Sequence, residues 1–549
     1  MMKLIGNRSE NKHYTQWDRR DNRRILGVFT LVLMFLFVWQ AIYWQREQEK
    51  MDHESSLPAV EMDMRTATQG LHEDFTLDAD RFVSRFPLVI IEAEKERLAA
   101  PEIGQSAEKI PAYLRIVSND DEENRLRDAA RWESRMIIGR RGNSSLYFEK
   151  GQYSLRLTDQ NGEKRNLNLF SMGEDDGWIL SGSMIDKSLM RNYLAYTLAG
   201  DIMEYAPMTQ YCEVIFLDDD VYRYEGVYML VQRVGRGEKR VPIQQTKPGA
   251  LYTDFIVRRD RSGKEDVTLD TYGSRNGFTY AAGEEDNYGH LGIVYPSARL
   301  LNPSSTQYIE ESIDRLEETL YSNDPVRFFQ YSRYIDVASF VDYALLNELL
   351  FNYDAGYHST YFYRPKSGKI YAGPVWDFDQ AMDNYRPSPS DPNEFYFFNA
   401  PWFDRLVLDY EYVQKLENRY RTLRRSVFSD AHIEAIIDHT ADMLEAARMR
   451  DWMRWAQQYE ESSSSYVLEP YIDGDGDAIG RHANSYREEI ARLKRSIREH
   501  AHSMDANMKK ELEKNCIDGS KKLAPSKLLL AIASLLAFFV AVILVRRMA

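Results

Sequence analysis

The sequence predicts an α+β protein with a β-rich first half, a helical second half and one membrane-spanning helix at each end. Three observations predict it. Residues 85–232 hold short β-branched and aromatic runs separated by turn residues, the pattern of strands. From about residue 303 the apolar positions recur at helical spacing. Ile25–Trp44 and Leu528–Val545 carry no charged residue, and each is long enough to cross a hydrocarbon layer of roughly 30 Å as a helix.

The chain has 549 residues, more than one core accommodates, so two or three lobes are expected. Apolar residues make up 44% and charged residues 28%, the composition of a globular protein rather than a disordered one. The net charge of −15 argues against nucleic acid as a partner, because phosphate backbones select basic surfaces. Two cysteines, Cys212 and Cys516, exclude a disulfide scaffold.

Residues 1–24 carry seven Lys and Arg and read as a cytoplasmic tail, and 25–44 as the first span, too long and without the cleavage site of a signal peptide. Residues 45–84 read as a stalk, 85–300 as a β-rich lobe with an insertion at 261–290, and 301–460 as a helical lobe. Residues 461–527 read as a helical extension and linker, and 528–545 as the second span, followed by Arg546 and Arg547. This places the chain in the plasma membrane with two passes and the main body outside, held to lipid by both helices.

Within the first lobe, Phe86–Glu92, Ala112–Val117, Glu133–Gly139 and Tyr153–Leu157 are expected strands. A helix is expected over Asp186–Ala199, with Asp186 as its N-cap and Gly200 as its stop. A hairpin follows, Cys212–Leu217 and Gly226–Gln232. Helices are expected at about 306–321 and 337–352, and again over 403–457 and 484–515, whose charged runs read as solvated faces.

The helix at 337–352 delivers the chain into Asp354. A hairpin, Ser359–Arg364 and Lys369–Trp376, then leads to Asp377 and Asp379. A β-ribbon brings its ends together, so Asp354 is expected near Asp377 and Asp379. Gathered carboxylates repel unless a cation lies between them or a proton is shared. The plainer alternative makes Asp354 a turn cap and the other two solvated strand-end acids. Acids so placed also resemble phosphoryl-transfer sites, where one orients the acceptor and another holds Mg²⁺ against phosphates, with cationic clamps nearby. Arg141, Lys150, Arg156, Lys187 and Arg191 are the candidate clamps. Asp473-Gly-Asp-Gly-Asp477 imitates a Ca²⁺ loop but has Ala478 and Asn484 where an EF-hand needs Gly and Glu, and reads as an acidic turn.

Four ordered blocks then resemble the CotH kinase family, over about 85–450. They are Arg141-Gly-Asn-Ser-Ser145 with Tyr153–Leu157, Trp178–Leu180 with Asp186-Lys-Ser-Leu-Met-Arg-Asn192, Cys212–Leu217 with Tyr224–Tyr228, and Ser339–Asp354 through His358 to Asp379. The resemblance implies an atypical protein-kinase-like fold, with ATP and Mg²⁺ (or Mn²⁺) between a β-rich and a helical lobe. It implies phosphorylation of Ser or Thr in cell-surface or spore-coat proteins. Asp354 falls at the family's catalytic Asp and Asp377 at its metal-binding Asp, with Asp379 beside it. Arg156 falls at a basic residue, usually Lys, expected to face the phosphates. Lys150, Arg141, Arg191 and His358 are further expected nucleotide contacts. Two departures stand out: Gln232 where the family often has Glu, and a turn at Asp218–Tyr224 that reads as longer than the family's Asn-Gly. They leave a second reading, a catalytically silent kinase-fold protein for adhesion, envelope assembly or scaffolding.

Overall fold

Seven strands of the computed structural model close into a barrel. They are β1 (Leu88–Glu92), β2 (Lys109–Val117), β3 (Trp132–Arg140), β4 (Tyr153–Thr158), β5 (Gly177–Ser181), β6 (Thr209–Asp218) and β7 (Val221–Gln232). Their order is β6-β7-β5-β4-β3-β2-β1, and a parallel pairing of β1 with β6 joins the ends, Glu213 opposite Leu88. The structure describes residues 75–517 apart from 103–104, 121–122, 262–266, 278–289, 385–390, 392–393 and 462–485, all within one unit, Thr68–Ala549.

Alternation decides which side chains fill the barrel. Leu155, Trp178, Leu180, Val214, Phe216 and Leu230 point inward and are buried. Each such side chain contributes about 1.5–3 kcal/mol by leaving water. On the opposite face, Ile179, Met229 and Val231 belong to the core of the helical part. The barrel therefore has two apolar faces along β5 and β7. This accounts for the unbroken apolar runs there.

The helical part contains α1 (Arg191–Ile202), α2 (Pro303–Leu320), α3 (Val337–Leu349), α4 (Tyr410–Leu423), α5 (Asp430–Glu461) and α6 (Tyr486–Glu513). The first of these corrects the expected helix at 186–199. Asp186 is not its N-cap but turns the chain before it, its carboxylate accepting from the amides of Ser188 and Arg191, and the helix runs through Gly200. In the hairpin of β6 and β7, Asp218 pairs with Val221, so the turn is only Asp219 and Asp220, both left-handed. It is no longer than an Asn-Gly turn, and the extra residue sits in a bulge beside Gly226.

The expected acidic hairpin belongs to a four-stranded sheet, two strands of which were absent from the sequence reading. Strands β8 (Phe255–Arg259) and β9 (Leu291–Tyr295) pair with each other, and β8 pairs with β10 (Thr360–Arg364), which pairs with the short β11 (Tyr371–Ala372). Arg259 opposes Thr360, which sets the residues after β8 beside those before β10.

The expected membrane helices are corrected here. No helix among the described residues is long and apolar enough to cross a membrane, so the flanking transmembrane helices and the two-pass placement are not supported. The segments Ile25–Trp44 and Leu528–Val545 themselves lie outside the described residues, as does the acidic turn Asp473–Asp477. Both cysteines are free, Cys212 buried inside the barrel.

Candidate active site

The acidic residues meet where α3 ends and β10 begins. Helix α3 is capped by Asp336, whose side chain accepts from the Ser339 amide, and it is buried through Phe340, Leu345, Leu346 and Leu349. A rigid, buried helix end fixes the loop that follows. In that loop the Asp354 carbonyl accepts from the His358 amide at 2.9 Å. Gly356 turns with φ +93° against Ala400, where a Cβ would collide. Ser359 is left-handed at φ 48°, and its hydroxyl donates to Asp377 Oδ2 at 3.3 Å.

Asp377 is also left-handed, at φ 64°, as are Met382 and Asp383. Non-glycine residues in this region cost about 1–3 kcal/mol each and collect at functional sites. The surroundings hold the loop in place. The Asp377 amide donates to Tyr196 Oη at 3.3 Å and the Phe378 amide to Asn192 Oδ1 at 2.7 Å, both acceptors on α1. The Asn352 amide group donates to the Asp377 carbonyl at 3.2 Å.

Asp377 keeps part of its surface accessible, while Asp379 is buried. Burial pushes the Asp377 carboxyl up, Arg141 pulls it down and Asp260 adds to the rise. Burial pushes Asp379 well above the ordinary carboxylate range, and the charges of Asp377, Asp186 and Asp354 add to it. Asp354, Asp377 and Asp379 are thus one electrostatic cluster. Buried Asp379 is therefore not the solvated strand-end acid of the plainer alternative.

The five basic candidates behave differently. Arg141 sits over the Trp376 ring at 5.8 Å, bonds Gln152, and is the cation whose charge bears most on Asp377. Lys150 does not reach the cluster as a free clamp: it is fully buried and pairs with Asp451 of α5 at 2.6 Å. Arg191 is buried between Asp186 at 2.6 Å and Glu489 at 2.7 Å. Arg156 points out of the barrel, 58% exposed, 3.9 Å from Asp176. For Lys150 and Arg191 the physical reason is the same, since a buried cation must be neutralised by a buried acid and is then committed. Lys187 sits in the turn between Asp186 and Ser188, half-buried. His358 is pushed down to about 4, first by burial and then by Arg261, so at neutral pH it is an uncharged imidazole and no cationic clamp.

Three residues near the cluster escaped the sequence reading. Asp260, at the end of β8, adds its charge to Asp377 and holds Arg258 at 3.4 Å. Arg261 follows it beside His358. Asn352 stands two residues before Asp354, and its buried Oδ1 has no hydrogen-bond partner. The apolar run Phe255-Ile-Val257, ending in charges, was the available signal for the first two.

A divalent cation fits this arrangement. Two carboxyls raised first by burial, one half-buried and one buried, and an orphaned amide oxygen are oxygen donors of the kind Mg²⁺ takes. Among the described residues no group of three or more His, Cys, Asp or Glu side chains is arranged to hold a metal alone. Mg²⁺ ordinarily completes its shell with water and substrate phosphates.

Gln232 is explained locally. Its Oε1 accepts from the Met208 amide at 2.8 Å and from Tyr205, while Nε2 donates to the Lys239 carbonyl at 2.8 Å and to that of Met172. A Glu has no donor for those two carbonyls.

The chain belongs to the CotH kinase family: the family model, described as CotH kinase protein, matches residues 138–504, well over half of it. No curated protein matches the chain.

Proposed function

We propose that this CotH kinase domain is an active protein kinase that transfers the γ-phosphate of ATP to Ser or Thr of a cell-surface or spore-coat protein. The observation that carries the reading is the gathering of Asp354, Asp377 and Asp379, with the Asp377 and Asp379 carboxyls raised first by burial and Arg141 bearing on Asp377. A silent scaffold has no use for two repelling buried carboxylates on a strained loop, and Gln232, the departure that favoured that reading, is matched to its own neighbours.

Each residue then has a task. Asp377 and Asp379 hold the metal of a metal–ATP complex. Bound Mg²⁺ or Mn²⁺ supplies neutralisation of the phosphate charge. Arg141, standing on the barrel side, faces the phosphates as a guanidinium that loses no charge at any working pH. Ser359 holds Asp377 in its orientation. Asp354, half-buried at the end of the helix-to-strand loop, accepts the proton of the acceptor hydroxyl.

The test is incubation of the full chain with labelled ATP and Mg²⁺ or Mn²⁺, beside Asp377→Ala and Asp354→Asn. Label on the protein or an added acceptor protein, lost in both variants, supports transfer. A wild-type chain that neither labels protein nor binds metal–ATP by calorimetry refutes it.

A further inference from the structure

The loop carrying Asp377 and Asp379 does not support itself. Its Ala381 and Met382 carbonyls both accept from Arg191, through Nε at 3.1 Å and Nη2 at 3.2 Å. The remaining nitrogen, Nη1, donates to Asp186 at 2.6 Å and to Glu489 at 2.7 Å. Glu489 lies on α6, 298 residues further along the chain, and is buried. Arg492, one turn on, pairs with Glu489 at 2.7 Å and reaches Asn384 Oδ1 at 3.5 Å. Asn384 in turn donates to the Asp379 carbonyl and to that of Ile185 at 3.1 Å. Ser496, also on α6, donates to the Met382 carbonyl at 3.3 Å. Tyr486 at the start of α6 donates to Ser188 at 3.2 Å, closing the ring of contacts on the turn of Asp186.

Arg191 and Glu489 hold each other in the charged form. Burial opposes the Arg191 charge, but Glu489 and Asp186 outweigh it and leave the guanidinium raised. Burial likewise opposes the Glu489 carboxylate, and Arg191 with Arg492 holds it low. Charge-assisted bonds of this kind are short and directional, and here they end on backbone oxygens two to five residues from the acids.

We infer that Glu489 is a positioning residue of the kinase site: through Arg191 it fixes the Ala381–Met382 backbone and so aims Asp377 and Asp379 at the metal–nucleotide. The inference rests on the kinase reading. It gives α6 a part in the site although none of its side chains is among the acids of the cluster.

Glu489→Gln keeps the size and removes the charge, and Ser496→Ala removes only one hydroxyl contact. Both are compared with wild type in the full chain by two readouts. Hydrogen exchange followed by mass spectrometry reports peptides covering 377–384 and, as a reference, the barrel strand at 153–158. Calorimetry reports Mn²⁺–ATP binding. In Glu489→Gln, loop exchange is expected to speed up by about tenfold with the barrel unchanged, and Mn²⁺–ATP affinity to fall by about tenfold. Ser496→Ala moves both in the same direction by less. Unchanged loop exchange in both variants overturns the inference, as does equal acceleration in the barrel, which marks general destabilisation. Faster loop exchange with wild-type Mn²⁺–ATP affinity shows a structural brace only and overturns it too. A wild-type chain that binds no Mn²⁺–ATP sinks the kinase reading, and the positioning role with it, whatever the exchange shows.

Discussion

Two charged regions of this molecule are built on opposite plans. Where α5 crosses the barrel, every buried charge is matched. Asp451 accepts from Lys150 at 2.6 Å and from the Val227 amide at 2.8 Å, Arg450 forms a two-bond pair with Glu213 at 2.7 and 2.8 Å, and Glu225 takes Lys95 and Tyr153. Gly226 is part of this seam, because a Cβ there would strike Asp451. At the end of α3 the plan is different, with acids gathered and Arg141 the cation that bears on Asp377. The matched region holds the barrel to the helical part. The gathered acids are the part that the proposed metal–nucleotide would neutralise. Burial alone does not distinguish structural from functional charge. The balance of charge does.

Breaking the unmatched cluster should cost activity and not fold. Asp379→Asn is expected to lower phosphate transfer by about 10²–10³-fold, the range for losing one electrostatic contact to the reacting group, while the metal-free melting temperature holds or rises. Steady-state kinetics and a thermal scan check both halves. Breaking the matched region should do the reverse. Asp451→Ala strands Lys150 and is expected to cost about 3–5 kcal/mol in denaturant unfolding, with metal–ATP affinity retained in the fraction that stays folded.

The comparison sharpens with pH. Asp377 and Asp379 have folded-state values above their unfolded ones, so the folded chain binds more protons than the unfolded chain between the two. Their contribution to stability is therefore present at acid pH and lost as pH rises from the ordinary carboxylate range through the raised values. Without metal, melting temperature should fall across that window by an increment that Asp379→Asn reduces. Added Mg²⁺ should restore it, and more strongly at higher pH, since binding displaces protons. The smallest effect belongs to Arg156→Ala. An exposed guanidinium 3.9 Å from its carboxylate is worth about 0–1 kcal/mol, and melting temperature and KM for ATP should both stay near wild type.

The acid cluster was legible in the sequence because its parts are local. A helix, a short hairpin and its return fix Asp354, Asp377 and Asp379 within one ribbon, and strand alternation reads such a ribbon directly. The fates of Lys150 and Arg191 were not legible, because their partners Asp451 and Glu489 lie 301 and 298 residues away on helices whose charged runs look solvated. Many of those charges are solvated, and the few that are buried, Asp451 and Glu489 among them, carry no local mark. Strand β8 was missed for a different reason. It adjoins the Gly- and Asp-rich run after residue 261, and its pairing partner β10 comes a hundred residues later. With it went Asp260 and Arg261. Arg156 was drawn into the site by its position in a motif, and only the barrel shows which way that residue faces.

The closure of the barrel by β1 against β6 also sets where this protein can be cut. The family match begins at residue 138, inside β3. A fragment trimmed to that boundary would lose β1, β2 and most of β3, leaving β4 and β6 as bare rims with unpaired amides and carbonyls. Such rims recruit strands from neighbouring molecules, so the trimmed fragment should precipitate where a longer one, beginning ahead of Leu88, stays in solution. The smallest piece that can be handled in a test tube is thus set by the wall of a cylinder and not by the reach of a sequence signature.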